Sequence, residues 1–276
     1  MAAGMEPPSV KARGRRWPVV GAVAVIVIAA IVVWRTGGGS GSGTPGPATS
    51  AAPVPPTTSA AAAPPASMTP PAAGLPAFAY QPLWPFTGAA DAAAWQQEYR
   101  SGGHQPWHLD AALTAQSFAQ GYLGYSGLGL VTQQAVQGRE AWIGVGYQTP
   151  GGTQATAAVV HLARIGTGRD APWEVVGTRD SLLTLTQPAY GATVTSPVTA
   201  GGRITGVDEN LVVRVRDLAH GVAGQVPGVP AGGQDTPWSV SVPFTATPGS
   251  VLTVAAATGG HVTDVERFAV TGVIAG

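Results

Sequence analysis

The 276 residues include no cysteine, which excludes a disulfide framework, a thiolate zinc site and a cysteine nucleophile. The 14 basic and 14 acidic side chains balance, but 9 basic and 13 acidic residues follow Arg35, so that this part has a formal charge of −4. A mildly acidic surface does not favour phosphate backbones, and nucleic acid is therefore not an expected partner.

An apolar segment near the N-terminus predicts a membrane anchor. Residues 17–34 read WPVVGAVAVIVIAAIVVW without a charge, and a helix of that length spans about 27 Å, close to the ~30 Å hydrocarbon core. Four basic residues precede the segment and only Arg35 follows it, which predicts a cytoplasmic tail at 1–16. A cleaved signal peptide is the alternative, but the apolar stretch is longer than a usual signal core. We therefore expect a single-pass protein of the cell membrane with an extracytoplasmic C-terminus.

Residues 35–76 have the composition of a disordered linker. They are rich in Gly and Ser at first and then in Pro, Ala and Thr, and they contain no aromatic residue. Such a segment buries too little apolar surface to fold. It is interpreted as a spacer, and a glycosylated stalk is the alternative.

Residues 77–186 show helical patterns followed by strand patterns. Ala89–Arg100 is a good helix former, and Asp110 is placed to cap a second helix. Period-two alternation then predicts three strands, at Trp142–Tyr147, Ala155–Arg164 and Trp173–Thr178. This order predicts an α+β domain with the helices laid on one face of an antiparallel sheet.

A few side chains of this domain raise the question of a site. His104, His108, Asp110 and His161 are residue types that bind zinc. Their spacing is not a recognised motif, and Asp110 is better explained as a helix cap, so we predict no metal, cofactor or catalytic residues. Among the tryptophans, Trp142 and Trp173 fit core positions in strands, whereas Trp84, in the irregular segment LWPF, is the tryptophan for which exposure and stacking on a sugar ring are the alternative to a core position.

Residues 187–276 contain strand patterns at short intervals and no helical period. The predicted strands are Ala192–Ser196, Arg203–Thr205, Leu211–Leu218, Trp238–Phe244, Val251–Ala257 and Arg267–Val273. Two sheets that each bury one face would account for this pattern, so we expect an all-β sandwich. Arg203, Arg214 and Arg216 are interpreted as solvated partners of nearby acids.

Several motifs of this second domain are similar to those of a known domain family. They are Val194-Thr195-Ser196-Pro197-Val198, Gly202, Gly206, Glu209-Asn210-Leu211, the strand Trp238–Phe244 and the turn and strand Gly249–Val254. Together they resemble the immunoglobulin-like domain of bacterial spore-germination proteins. The resemblance implies an immunoglobulin-like, extracytoplasmic and non-enzymatic domain, found in germination, sporulation or other envelope proteins. The Gly- and Pro-rich stretch Gly221–Pro237 departs from the pattern and is either a long loop or an irregular edge strand.

The chain contains no nucleophile elbow, phosphate loop or metalloprotease motif. We therefore predict a non-enzymatic binding or scaffolding protein of the bacterial envelope, associated with germination or sporulation. Its expected partners are the membrane and either peptidoglycan or another envelope protein. The alternatives are a metal-assisted hydrolase that uses the histidines and Asp110, and a sensor subunit, whose short tail would require a membrane partner to relay a signal.

Overall fold

A computed structural model describes residues 78–179 and 181–276, which belong to one compact unit. The predicted tail, membrane segment and linker, residues 1–76, lie outside the described residues. No helix within the described ranges is both long and apolar enough to cross a membrane. About half of the described residues are in strands.

Two short α-helices precede the sheets. Helix α1 spans Ala89–Gly102, and it ends where Gly103, at φ 70°, donates its N–H to Tyr99 O at 2.7 Å. A 3-10 helix at Pro106–Leu109 leads into α2, Ala111–Ser117, which continues as a π-helical turn at Phe118–Tyr122. Both predicted helices are therefore confirmed as elements.

Sheet A contains four antiparallel strands in the order β1-β2-β3-β4. They are β1 Leu130–Gln137, β2 Glu140–Gln148, β3 Gln154–Arg164 and β4 Trp173–Arg179. The three predicted strands correspond to β2, β3 and β4. Strand β1 was not predicted, because it is an edge strand whose last five residues are exposed and which therefore lacks apolar alternation. The turn after it is short, since Gln137 pairs directly with Glu140 and Gly138 supplies a φ of 62°.

Sheet B contains five strands in the order β5-β9-β8-β6-β7. They are β5 Thr193–Val194, β6 Val198–Asp217, β7 Gly221–Val242, β8 Val251–Thr258 and β9 Arg267–Ala275. The long β6–β7 hairpin loses its regular register between Ile204 and Glu209. Irregularities of this kind bend strands, and sheet B curls until it is nearly a closed barrel around its own apolar core.

The predicted fold class is wrong. Instead of an α+β domain followed by an immunoglobulin-like sandwich, the described chain is mostly β, with two short α-helices, sheet A and the curled sheet B. The predicted strands Arg203–Thr205 and Leu211–Leu218 both fall within the continuous strand β6, apart from Leu218, which follows its end. The ambiguous stretch Gly221–Pro237 lies in the edge strand β7, where proline is tolerated because one row of N–H groups has no strand partner.

Strands β8 and β9 are buried on both faces, because each face packs against a different hydrophobic core. The sequence pattern of these strands does not show which buried residue belongs to which core. Leu252 and Val254 pack inside sheet B, whereas Ala255 and Ala257 pack into a second core shared with sheet A. In β9, Phe268 likewise faces the shared core. Residues on both sides of position 186 therefore contribute to one hydrophobic core.

Candidate functional site

Two tryptophans stack on each other at the surface of the unit. The ring centroids of Trp84 and Trp107 lie 5.5 Å apart with an interplanar angle of 26°, and both residues are half-buried. Behind them, the rings of Phe118 and Tyr122 lie 6.2 and 6.5 Å from Trp84. We call Trp84 and Trp107 the tryptophan ridge.

The backbone around each tryptophan is fixed by nearby elements. The amide of Val175 in β4 donates to Trp84 O at 2.7 Å, and Leu83 donates to Val175 O at 3.0 Å. Asp110 donates its N–H to Trp107 O at 3.0 Å, and its carboxylate accepts from the amides of Ala112 and Leu113 at 2.8 and 3.1 Å. The ridge therefore rests on sheet A and on the capped start of α2, and the predicted capping role of Asp110 is confirmed.

On one side of the ridge lies a cavity of about 370 Å³, which we call the acidic groove. Its charged lining residues are Asp91 and Glu98, both exposed on α1. Asp91 accepts a hydrogen bond from the amide of Thr87 at 3.0 Å. Gln105 also lines this groove, so its surface offers mainly oxygen acceptors to a ligand.

On the other side lies a cavity of about 560 Å³, which we call the basic groove. It is lined by Ser117, Gln120, Tyr122 and Arg216, together with both tryptophans of the ridge. The guanidinium carbon of Arg216 lies 4.7 Å from the centre of the Tyr122 ring. This groove therefore offers a cation and hydrogen-bond donors.

A neutral histidine supports the floor of the acidic groove. His108 is 4% exposed and packs between Phe86 and Trp95, with ring centroids 5.0 and 5.1 Å away. Its Nε2 lies 3.1 Å from Gln105 Oε1. Burial, reinforced by the charge of His104 and opposed by Asp91, lowers the pKa of His108 to about 4. The imidazole is therefore uncharged at neutral pH.

A buried carboxyl lies behind the same segment. Glu174 of β4 is fully buried and accepts a hydrogen bond from the amide of Phe86 at 3.1 Å. Burial raises the pKa of Glu174 well above its usual value. The hydrogen bond from Phe86 to Glu174 therefore helps to hold residues 84–86 against sheet A.

Three of the four residues considered for a metal site have separate roles, and the fourth, His104, is exposed between α1 and the 3-10 helix. His161 Nε2 is in close hydrogen-bonding contact with Glu140 Oε2, and the imidazole stacks on Trp142 at 5.1 Å and 4°, on the face of sheet A away from the shared core. His108 is part of the aromatic packing described above, and Asp110 caps α2. Among the described residues, no group of three or more His, Asp or Glu side chains is placed to hold a metal ion.

The individual tryptophan predictions have mixed outcomes. Trp173 is 2% exposed and lies in the core as expected. Trp142 is half-buried and lies under Arg179, 5.4 Å from its guanidinium carbon, so its assignment to the core is wrong. Trp84 is half-buried rather than fully exposed. Arg216, interpreted from the sequence as a solvated partner of an acid, is half-buried and lines the basic groove beside the ridge. No spacing in the sequence indicates this position.

No family model, curated protein or solved structure matches this chain. Its own residues therefore carry the functional argument. Indole rings combine a large apolar face with a polar N–H, and concave sites that bind small molecules combine such faces with a few convergent polar groups. The ridge and its two grooves have this composition, which suits a ligand with flat apolar faces and many hydroxyl or amide groups.

Proposed function

We propose that this chain is a non-catalytic, membrane-anchored binding protein of the bacterial cell envelope, and that its tryptophan ridge binds a polysaccharide of the cell wall. The observation that carries the proposal is that Trp84 and Trp107 line both grooves. A chain of sugar rings can stack on the indoles while its hydroxyl and amide groups reach the polar side chains on either side. Two grooves that share the same pair of indole rings favour a polymer over a single small molecule.

The N-terminal sequence supports the location. The uncharged segment 17–34 and the basic residues before it favour a single span with the C-terminal part outside the membrane. The linker 35–76 would reach about 35 Å as a coil and about 130 Å if fully extended. A tether of that length allows the ridge to reach wall material above the membrane. The germination or sporulation setting stays a prediction from the resemblance.

A hydrolytic function has weaker support. His104, His108, Asp110 and His161 are the residues that it would need, and within the described ranges they form no shared group. The acidic groove contains two carboxylates, but both belong to exposed residues of the same helix, α1, and do not face each other across a cleft. Binding is therefore the function that we propose.

The test is co-sedimentation of the full-length protein, in detergent micelles, with purified cell-wall sacculi. We expect saturable pelleting that a chelator does not change. Trp84→Ala and Trp107→Ala should each weaken binding about tenfold, which corresponds to a loss of about 1.4 kcal/mol of aromatic contact. Trp142→Ala is the matched control, because Trp142 is also half-buried but lies on the other face of sheet A.

Circular dichroism of each variant separates loss of binding from loss of folding. If wild-type protein does not pellet, or if folded Trp84→Ala and Trp107→Ala variants pellet like the wild type, the ridge is not a wall-binding site. Equal loss in Trp142→Ala would also contradict the assignment. Absence of pelleting would transfer attention to a protein partner, to be sought by cross-linking in intact cells.

A further inference from the structure

The two grooves beside the tryptophan ridge differ in charge. Asp91 and Glu98 line the groove on one side, and Arg216 lines the groove on the other. A ligand that crosses the ridge therefore meets carboxylates at one end and a guanidinium at the other. Because like charges repel and opposite charges attract in a partly desolvated site, this arrangement selects both the charge and the direction of the ligand.

Arg216 has the features of a cation placed for an external anion. Two other arginines of the unit form ion pairs, Arg100 with Asp170 and Arg203 with Asp235. Arg216 forms no ion pair with the carboxylates whose side chains the structure describes, a set that leaves out residues 180 and 207–209. Its Nε atom is buried and has no hydrogen-bond partner among the described side chains and backbone groups. A carboxylate in the basic groove would form a charge-assisted hydrogen bond with the guanidinium.

Tyr122 supports the guanidinium that lines this groove. The ring lies under Arg216 at 4.7 Å, and the hydroxyl donates to Thr253 Oγ1 of β8 at 3.3 Å. The ring is thus fixed between the π-helical turn and sheet B. An arginine whose guanidinium packs on a fixed ring loses less conformational entropy when it binds a ligand than an arginine whose side chain is free in solvent.

The acidic groove suits the opposite part of a ligand. The carboxylate of Glu98 is exposed, and Gln105 adds an amide. The carboxylate and amide oxygens accept hydrogen bonds from hydroxyl and N-acetyl N–H groups, and the negative charges of Asp91 and Glu98 repel a carboxylate. A neutral sugar therefore fits on this side, and an acidic sugar fits on the side of Arg216.

We propose that the ridge binds a glycan of alternating neutral and carboxylated amino sugars, the chemistry of a peptidoglycan strand of N-acetylglucosamine and N-acetylmuramic acid from which the stem peptides have been removed, so that each lactyl group ends in a free carboxylate. The lactyl carboxylate of one ring binds Arg216, and the neighbouring neutral ring lies beside Glu98. This inference rests on the proposed function, since it assumes that the ridge binds a glycan. It adds that the glycan must carry an acidic substituent.

The test compares two soluble probes with the full-length protein in detergent micelles by isothermal titration calorimetry. One probe is an oligosaccharide of alternating N-acetylglucosamine and N-acetylmuramic acid with free lactyl carboxylates, and the other is a chitin oligosaccharide of equal length. Wild-type protein should bind the carboxylated probe about tenfold more tightly. The preference should shrink as salt is raised, because salt screens the charge interaction.

Variants of Arg216 identify the residue responsible. Arg216→Gln should abolish the preference, so that the two probes bind with equal affinity, and Arg216→Lys should retain part of it because the charge remains. Arg214→Gln is the matched control, because Arg214 lies on the same strand and donates to Gln225 at 2.7 Å outside the groove. If Arg216→Gln fails to fold, Arg216→Lys and the salt dependence of the wild type still decide the question.

The inference is overturned if the wild type binds both probes equally, if a folded Arg216→Gln protein keeps the preference, or if a glycerol-phosphate polymer without sugar rings binds as tightly as the carboxylated probe. Failure of the proposed function would give different results. If the ridge does not bind a glycan at all, neither probe binds, or Trp84→Ala leaves the binding of both probes unchanged.

Discussion

The stability of the folded unit should depend on the protonation of His108. In the folded state burial lowers the pKa of His108 to about 4 from a usual value of 6.5. A histidine whose pKa is lower in the folded state binds fewer protons there than in the unfolded chain. Its contribution to stability is therefore fully present above pH 6.5 and is lost as the pH falls toward 4.

The gap between 6.5 and about 4 sets the size of the effect. At 1.36 kcal/mol per pH unit, the free energy of unfolding should fall by about 2 kcal/mol between pH 7 and pH 5, and by about 3 kcal/mol at pH 4. Urea unfolding of residues 67–276, which span the compact unit, measures this at several pH values. His108→Gln should lack this part of the pH dependence, and the exposed His261→Gln should keep it.

The difference between wild type and His108→Gln isolates this histidine from other titrating groups. The pH dependence that Glu174 contributes to stability has the opposite sign. Burial raises the pKa of Glu174 in the folded state, so its contribution to stability is lost as the pH rises through this raised pKa. Glu174 is present in both proteins, so its effect cancels in the difference. Parallel curves of unfolding free energy against pH for wild type and His108→Gln would refute the burial argument.

Two further substitutions test the supports of the site and the shared core. Asp110→Ala removes the cap that accepts hydrogen bonds from the amides of Ala112 and Leu113, and it should lower the free energy of unfolding by about 1 kcal/mol. Asp264→Ala, in an exposed turn, is the control. An unchanged urea midpoint in Asp110→Ala would contradict the capping role. Phe268→Ala should cost about 3–5 kcal/mol, since the ring is 1% exposed in the core between the two sheets. Near-ultraviolet and far-ultraviolet signals should still change in one transition, and two separate transitions would show that the sheets do not share a cooperative core.

Much of the local structure was predictable because it depends on short-range patterns. Ala89–Arg100 is rich in strong helix formers, and α1 spans Ala89–Gly102. Asp110 before an apolar helical period predicted the start of α2. Strand β1 was missed because an exposed edge strand needs no apolar alternation.

The fold class was not predictable by the same means. A sandwich was inferred from strands with one apolar face, yet β8 carries buried residues on both faces. The sequence pattern of such a strand is the same whether its second face meets another sheet of its own domain or a different sheet altogether. Likewise, the bend within β6 made one strand look like two.

The sequence by itself determined the uncharged segment 17–34, the composition of the linker, the absence of cysteine chemistry and most of the strands, because each depends on composition or on neighbours within a few residues. Only the tertiary structure decided the site. Trp84 and Trp107 are separated by 22 intervening residues, and Arg216 follows more than a hundred residues later. They come together because α2 and β4 pack around the core shared by the two sheets, and Arg216 of β6 lies over the ring of Tyr122 in the turn that follows α2; long-range packing of this kind leaves no periodic signal in the chain.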